Sequence, residues 1–545
     1  MSFNLVTRPW IPVPSDQGQT EQLSLTTALL EAHSIRSLAL PAPTMTPALL
    51  RQVLVPVVLH ALGAPRTPED WQRRFDQGGF TQDERDLLAD YLRRYQHRFD
   101  LFSATDRPFA QVSGLQAASG ETKSITLLLP SVASGNNVPL FSALTEADVV
   151  ELTPAQAALW LLHTHCWDTA AIKTGAVGDP KVKAGKTTGN PTGPLGQLGV
   201  IVPVGRTLYE TIMLNSPVYY DGLAPDDRPQ WAAATDEYPT TVGEADPGTP
   251  AWTERAARGV LDQLTWQSRR IRLVATDTPQ GTRVTRVVVA AGDRLRMTPD
   301  IEPHTAWTHS PKPKAGQPHL RPRRHRSGRS AWQGLDTLLA LALPSDGEGP
   351  YTSRLLRQIG ELDAEGYLAP AYPLRVDTYG LEYGNQSAVV ENAIVDALPM
   401  PVAALAAENS DVRDALLEAV GQADRLARAL DRLLMDLRRA VGGGSASAGE
   451  GQPAFGAAAV RARPRRPSPA GPATAGGRGF RPARRAVDGV GADPLVGGVH
   501  DRFAAAVRCP AGGFRWTRNQ AGHLPDRCCG ARIHQCAVRD AAAGC

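Results

Sequence analysis

Four side chains that can bind metals or transfer protons lie close together in the sequence: His163, His165, Cys166 and Asp168. Imidazole, thiolate and carboxylate groups are common zinc ligands and common general acids and bases. Thr153-Pro154 predicts that a helix runs through this segment, and helical residues two apart point about 200° away from each other. His163 and His165 therefore cannot share a metal unless the helix has already ended. We interpret the cluster as a capped helix end, and we predict no metal and no cofactor.

A functional alternative for this cluster is a metal-dependent hydrolase or nuclease that uses His163, His165 and Asp168. Such an enzyme would need an added divalent ion for activity. The sequence offers no pair of carboxylates at helical spacing near these histidines. The alternative stays open as a competing hypothesis.

A glycine-rich stretch runs from Ala184 to Gly196 and contains Gly185-Lys186-Thr187. A Walker loop places Gly-Lys-Thr between a strand and a helix, whereas this stretch continues through two prolines into a predicted strand. The order argues against an ATPase. Four lysines lie in or near the stretch: Lys173, Lys181, Lys183 and Lys186. We predict a flexible backbone loop beside nucleic acid.

A dense basic segment lies between residues 312 and 329, with two histidines and no acidic residue. Its basic side chains are Lys312, Lys314, Arg321, Arg323, Arg324, Arg326 and Arg329. The segment is either a solvated loop or a site of phosphate contacts, where each cationic group displaces condensed counterions. We favour phosphate contacts.

Composition limits the function classes that remain. The chain has 545 residues, 58 Lys and Arg against 55 Asp and Glu, and 42% apolar residues. This length predicts several domains, and the small net charge of +3 leaves any polyanion binding to local patches. No run approaches the roughly 18 uninterrupted apolar residues of a membrane span, so we expect a cytoplasmic protein with no membrane partner.

The composition changes sharply near Gly442. Of the residues from 441 to 545, 66 are Gly, Ala, Arg or Pro, and Lys is absent. We predict a disordered tail over 441–545, because this mixture has neither a helical nor a strand period. Two explanations stay open, a basic arm for nucleic acid and a GC-rich gene read out of frame.

The upstream sequence predicts an α+β fold, a mixed N-terminal domain over residues 1–400. Helices are expected after the capping signals Thr46-Pro47, Thr67-Pro68, Thr81 with Glu84, and Thr153-Pro154. Paired strands are expected at 199–202 with 208–212, and at 271–274 with 284–289. From Ser410 to Ala440 an apolar stripe at steps of three and four predicts a long helix. We expect it to be the first helix of a C-terminal helical bundle that starts over residues 401–440 and is then truncated.

Several segments in the right order resemble CasA, the large subunit of the type I-E CRISPR complex Cascade. These segments are Phe3 to Val13, Asp106 to Gln111, Ser134 to Asn137, the glycine-rich stretch into Gly205-Arg206-Thr207, Glu302 to Trp307, and Tyr383 to Ser387. The resemblance covers residues 1 to about 440. It implies a two-domain, non-enzymatic subunit that reads the protospacer-adjacent motif of double-stranded DNA, helps to open the duplex and recruits a helicase-nuclease. The implied partners are CasB, CasC, CasD, CasE, the CRISPR RNA and the target DNA.

The resemblance also implies roles for particular residues. The residues expected to read the DNA motif and to form a wedge into the duplex are Asn385, Gln386, Gly189, Gly193, Gly196 and Lys186. The loop expected to anchor the subunit to the RNA handle and to a neighbouring subunit contains Asn136, Asn137 and Phe141. Two departures stand out, since the metal-binding cysteine pairs of some relatives are missing and the bundle is incomplete. The second departure leaves a frameshifted inactive copy as an alternative.

Overall fold

The computed structural model describes residues 1–15, 17–103, 107–132, 144, 148–232, 253–310, 319–341, 350–369, 371–406 and 409–441. The chain divides into two compact units, Met1–Gly471 and Pro472–Cys545, and all described residues belong to the first. Five predicted site residues lie outside the described ranges: Asn136, Asn137, Phe141, Lys312 and Lys314. The predicted tail from 442 onward lies outside them as well, so the domain boundaries stay predictions.

Short helices dominate the N-terminal part of the described chain. The α-helices are α1 Leu25–Leu30, α2 Met45–Leu49, α3 Val55–Leu62, α4 Pro68–Asp76, α5 Gln82–Tyr95, α6 Pro154–Trp167, α7 Leu208–Leu214, α8 Val260–Leu264, α9 Leu335–Leu338, α10 Arg354–Ala364 and α11 Ser410–Ala440. Thr67, Thr81 and Thr153 cap their helices through the side-chain oxygen, as predicted. The start predicted at Thr46-Pro47 is wrong, because α2 already begins at Met45 and has no side-chain cap.

The strands form small, separate sheets. They are β1 Ile11–Pro14, β2 Thr20–Leu23, β3 Lys123–Ser124, β4 Lys173–Thr174, β5 Lys186–Thr187, β6 Val200–Val204, β7 Glu254–Ala256, β8 Arg269–Thr278, β9 Gly281–Ala291, β10 Arg294–Arg296, β11 Trp307–His309, β12 Leu320–Pro322, β13 Pro350–Tyr351, β14 Arg375–Tyr383 and β15 Val390–Pro399. The predicted hairpin at 271–289 is confirmed as β8 and β9, which pair antiparallel. The mixture of helices with mostly antiparallel sheets confirms the α+β class.

The strand predicted at 208–212 is wrong, because these residues begin α7. Thr207 accepts a hydrogen bond from the backbone N–H of Glu210, which is the N-cap arrangement that starts a helix. The β-branched and aromatic residues of this segment favour a strand locally. Burial of the whole helix against the core overrides that preference.

A central helical stretch runs from α2 through a π-helical turn, Leu50–Leu54, into α3. Within the described residues this stretch, Met45–Leu62, is long and apolar enough to cross a membrane, and 78% of it is buried inside the protein. Such burial is typical of a core helix. The side-chain N–H of Trp167 on α6 donates to the Thr44 carbonyl at 2.9 Å, which fixes the end of α6 against the start of α2.

One three-stranded sheet has the order β15-β14-β6 and is antiparallel throughout. Strand β6 follows the glycine-rich stretch directly, and the turn between β14 and β15 carries the predicted wedge residues. One sheet therefore fixes both predicted DNA-reading elements relative to each other.

Helix α11 confirms the predicted helix at 410–440. Only Leu416 and Val420 of its side chains are buried among the described residues. The apolar stripe beyond them is exposed, with Leu426 at 63% and Leu434 at 47%. The described part of the chain thus leaves most of this helix without a packing partner.

Candidate nucleic-acid interface

The turn between β14 and β15 presents Asn385 and Gln386 with exposed side chains. Gln386 has φ +52° and Ser387 has φ +55°, two consecutive left-handed residues that are not glycine. Such conformations are uncommon for residues with a Cβ and are concentrated at functional sites. The backbone closes the turn with a bond from Gly384 N–H to the Val389 carbonyl at 3.0 Å.

The glycine-rich stretch begins with a turn through Ala184 and Gly185, both at positive φ. It continues into β5, which pairs with the earlier strand β4. Lys186 and Gly189 are exposed, and the guanidinium of Arg294 lies beside Gly189. These exposed positions agree with a loop that can approach a ligand with its backbone.

Two of the glycines assigned to motif reading are buried instead. A Cβ at Gly193 would collide with the backbone at Cys166, and a Cβ at Gly196 would collide with the Tyr383 ring. Both glycines therefore permit close packing inside the protein. The structure corrects the sequence expectation here and leaves Gly189 and Lys186 as the exposed members of the set.

Tyr383 joins the turn that carries Asn385 and Gln386, here called the wedge turn, to the end of α6. Its hydroxyl donates to the Trp167 carbonyl at 2.6 Å, and the backbone N–H of Ala170 donates to the Ser387 carbonyl at 2.7 Å. Burial raises the pKa of Tyr383, so the hydroxyl keeps its proton. The Gly193 N–H donates to the Asp168 carbonyl at 2.8 Å. Residues 167–170 thus contact the wedge turn on one side and the glycine-rich stretch on the other.

The described part of the basic segment runs from His319 to Arg329 and lies across the same sheet. Arg324 donates to the Gln197 carbonyl at 3.3 Å, and the His325 ring donates to the Val200 carbonyl at 3.1 Å. Burial lowers the pKa of His325, so its ring is neutral at pH 7. The exposed cations are Arg321, Arg324, Arg326 and Arg329, while Arg323 is half-buried and 3.6 Å from Asp336.

A cavity of about 520 Å³ lies between this basic segment and the sheet. Arg324, Arg326 and Arg329 line it, together with Asp396 of β15. The basic segment is thus held above the sheet, with a cavity between them that arginine, apolar and aspartate side chains line together. The structure thus brings the basic segment, the sheet and the glycine-rich stretch to neighbouring positions.

The histidine and cysteine cluster on α6 has separate partners for each side chain. His163 is hydrogen-bonded to the Thr44 hydroxyl at 3.0 Å, and the His165 ring donates to the Ala110 carbonyl at 2.8 Å. Burial lowers the pKa of His163 to about 3 and of His165 to about 4, and it raises the pKa of the Cys166 thiol to about 12. These side chains face different ways, as the helical spacing predicted.

Asp168 does not complete a metal site with these histidines. Its carboxylate pairs with Lys173 at 2.7 Å and with Arg269 at 2.5 Å. Across the described ranges no group of three or more His, Cys, Asp or Glu side chains could hold a metal ion. The hydrolase alternative gains no support from this geometry.

A buried ionic network links the π-helical turn to the Glu302–Trp307 segment. Arg51 donates two hydrogen bonds to the Glu302 carboxylate at 2.6 and 2.8 Å and a third to Nδ1 of His304 at 2.8 Å. The His304 Nε2–H donates to Asn215 at 3.0 Å. Burial opposes ionisation of Glu302, but Arg51 lowers its pKa to about 2; burial lowers the pKa of His304 to about 3.

This network supports β6, because the Ile201 N–H donates to the His304 carbonyl at 2.7 Å. The sequence marked Glu302 and His304 only through the family resemblance. Arg51 gave no signal, because its helix reads as apolar core. Tyr383 was likewise marked only as part of the resembling segment Tyr383 to Ser387. Arg269 was missed, since its contacts are with residues distant in the sequence.

The family model for CRISPR-associated protein Cse1 matches residues 4–465 of this chain. The chain belongs to the Cse1 family. A curated relative from Thermus thermophilus, named CRISPR-associated protein CasA/Cse1, is 29% identical over 446 residues, covering 81% of this chain and 79% of the relative. The resemblance to CasA is therefore confirmed, and the match to the Cse1 model continues past Gly442.

Solved structures agree with this family assignment. The crystal structure of Thermobifida fusca Cse1 has a TM-score of 0.68 at 33% identity, over 81% of each chain. A chain in a structure described as a CRISPR RNA-guided surveillance complex has a TM-score of 0.59 at 22% identity, over 81% of this chain and 84% of that chain. The second comparison shows a shared fold.

Proposed function

We propose that this Cse1-family chain is a non-catalytic subunit of an RNA-guided CRISPR surveillance complex, Cascade, in the cytoplasm. In that complex it recognises the protospacer-adjacent motif of double-stranded DNA, helps to open the duplex and recruits the helicase-nuclease. Its partners are CasB, CasC, CasD, CasE, the CRISPR RNA and the target DNA. Base pairing supplies most of the sequence specificity in such complexes, so a protein of small net charge with local basic loops is sufficient.

The observation that carries the proposal is the exposed Asn385-Gln386 turn. An amide can hydrogen-bond to base edges while its flat face stacks on a base pair. The left-handed backbone at Gln386 holds this side chain at the tip of a paired β-hairpin. The exposed Lys186 and Gly189 belong to the glycine-rich stretch, whose buried Gly196 packs against the Tyr383 ring of β14.

The first experiment replaces the wedge. The double variant Asn385→Ala with Gln386→Ala is assembled with the other subunits and CRISPR RNA, and opening of a motif-bearing duplex is followed by permanganate reactivity. Unstacking a base step costs a few kcal/mol, so we expect markedly slower opening with normal assembly. Gln280→Ala, at the exposed turn between β8 and β9, is the matched control. Equal opening by the double variant and the parent complex would contradict the proposal.

The basic segment is proposed to contact phosphates and not bases. Replacing Arg321, Arg324 and Arg326 by Ala in the complex should weaken binding of all duplexes about equally. The slope of log affinity against log salt should fall by up to roughly 0.9 per lost contact. If only motif-bearing DNA lost affinity, the segment would be a reader of sequence, and the roles given to Gln386 and Gly189 would be wrong.

A second proposal is that the chain is an inactive copy read out of frame near residue 441. Two observations favour it, whereas the Cse1 match that continues to residue 465 weighs against it. The apolar stripe of α11 is exposed, and Lys is absent from 441–545. Sequencing across the codons for residues 439–444 tests this directly. If the gene shows a frame break there, and a chain made after restoring the frame opens DNA while the present chain does not, the second proposal is supported. An intact natural frame refutes it.

A further inference from the structure

Arg269 occupies a buried junction between three elements. It is 1% exposed and lies at the first residue of β8. Its guanidinium donates to the Asp168 carboxylate at 2.5 Å, to the Thr169 carbonyl at 2.9 Å and to the Pro191 carbonyl at 2.7 Å. One planar group thus binds the end of α6 and the glycine-rich stretch at the same time.

Asp168 completes this junction from the other side. Its carboxylate also accepts from Lys173 on β4 at 2.7 Å, and its backbone carbonyl accepts from the Gly193 N–H. The residues on either side of it hold the wedge turn, because the Trp167 carbonyl accepts from Tyr383 and the Ala170 N–H donates to the Ser387 carbonyl. The glycine-rich stretch and the wedge turn are therefore both fixed to the same four residues, 167–170.

We propose that Arg269 and Asp168 are positioning residues that set the wedge turn and the glycine-rich stretch at a fixed distance from each other, so that motif reading and duplex opening act together. This inference rests on the proposed function. Neither side chain is exposed, so neither is expected to contact DNA. They act through Pro191, Gly193 and the backbone around Trp167.

The chemistry explains why an arginine is needed at this position. A guanidinium offers five N–H donors in one plane, and it stays charged at all relevant pH values. A lysine keeps the positive charge but has a single nitrogen, so it cannot place donors both at the Nε position facing Asp168 and at the Nη2 position facing the two carbonyls. Arg269→Lys therefore separates the geometric role from the charge.

Arg270 supplies a matched control from the next residue. It is 3% exposed on the same strand and pairs with Asp179 and the Ala291 carbonyl. These partners lie outside 167–170 and outside the Pro191–Gly196 part of the loop. Arg270→Lys should therefore cost stability through the loss of a similar buried fork, without releasing the junction.

The experiment compares both variants in the complete complex with CRISPR RNA. Arg269→Lys should assemble and should bind non-motif duplex like the parent, while opening of motif-bearing duplex becomes severalfold slower, because the wedge turn and the glycine-rich stretch are no longer held at a fixed distance. Both variants should lower the unfolding temperature by similar amounts, because each loses a buried guanidinium. Arg270→Lys should nevertheless open the duplex at the parent rate. If both variants open the duplex equally, the inference is overturned.

Two further arms keep the test decisive. Asp168→Asn is nearly isosteric and removes the ion pairs, so it replaces Arg269→Lys if that variant fails to fold. The double variant at Asn385 and Gln386 runs in the same assay. Normal opening by that double variant refutes the proposed function itself, whereas slow opening by it together with normal opening by the Arg269 and Asp168 variants refutes only this inference.

Discussion

Acidification from pH 7 to pH 5 should destabilise this protein through three buried histidines. His163, His165 and His304 are at most 3% exposed, and burial lowers their pKa from 6.5 to about 3, about 4 and about 3 respectively. Below pH 6.5 the unfolded chain binds a proton at each position, but the folded chain does not. The free energy of unfolding therefore falls as the pH falls through this range.

The size of the effect follows from these pKa values. Between pH 7 and pH 5 each histidine lowers the free energy of unfolding by about 2 kcal/mol, so the three together lower it by several kcal/mol. Asp227 acts in the opposite direction, because burial raises its pKa from 3.8 to about 6 and the folded state gains its proton first. That gain is about 1 kcal/mol. His60, whose pKa burial lowers to about 4, adds to the loss, so the net loss between pH 7 and pH 5 is several kcal/mol. This is a large share of the 5–15 kcal/mol that typically stabilises a protein.

Urea unfolding followed by tryptophan fluorescence at pH 7 and pH 5 measures this difference. His163→Gln keeps a hydrogen-bonding side chain opposite Thr44 but cannot titrate, so it should reduce the pH-dependent loss by about 2 kcal/mol. His33→Gln, an exposed position, shows what the same exchange does outside the core. The reasoning is refuted if the unfolding free energy is the same at both pH values, or if His163→Gln leaves the difference unchanged.

Three further predictions concern stability, reactivity and solubility. Arg51→Met should destabilise the chain by about 3–5 kcal/mol in urea unfolding, because it leaves the Glu302 carboxylate buried without its cation, and Arg51→Met with Glu302→Leu should lose less than the single variant. Cys166 should resist iodoacetamide at pH 8 in the folded chain and react in urea, as read by mass spectrometry of its peptide; rapid labelling of the native thiol would contradict its burial. Leu426→Glu and Leu434→Glu on α11 should reduce self-association, as measured by light scattering. They should change the unfolding free energy by less than about 0.5 kcal/mol, and a larger loss would mean that these side chains are packed.

Local signals in the sequence predicted local structure well. Thr67, Thr81 and Thr153 each satisfy a free N–H within their own first turn, so the cap depends on neighbours in the chain. The hairpin of β8 and β9 likewise depends on a short connection. The segment at 208–212 failed because its strand-like composition was given more weight than the capping pair Thr207 and Glu210.

The interface was harder to predict, because its contacts join distant residues. The family resemblance predicts DNA contacts for Gln386, Gly193 and Gly196 alike. Gln386 is exposed, whereas Gly193 and Gly196 are buried. Their burial depends on α6 and on Tyr383, which lies far along the chain. The bond between Arg269 and Asp168 spans 101 residues, and no local pattern marks it. Such pairs are determined by tertiary packing, which propensity and spacing do not encode.

The sheet that carries the wedge turn also has a mechanical consequence. Strand β14 pairs with β15 from Arg375 to Tyr383 and with β6 from Arg375 to Tyr379. In antiparallel sheets the hydrogen bonds run perpendicular to the strands. A force that presses on the turn along the strand axis therefore loads both ladders in shear, so that many bonds resist together and none is peeled open first. This resistance at the tip suits the wedge role proposed for the turn.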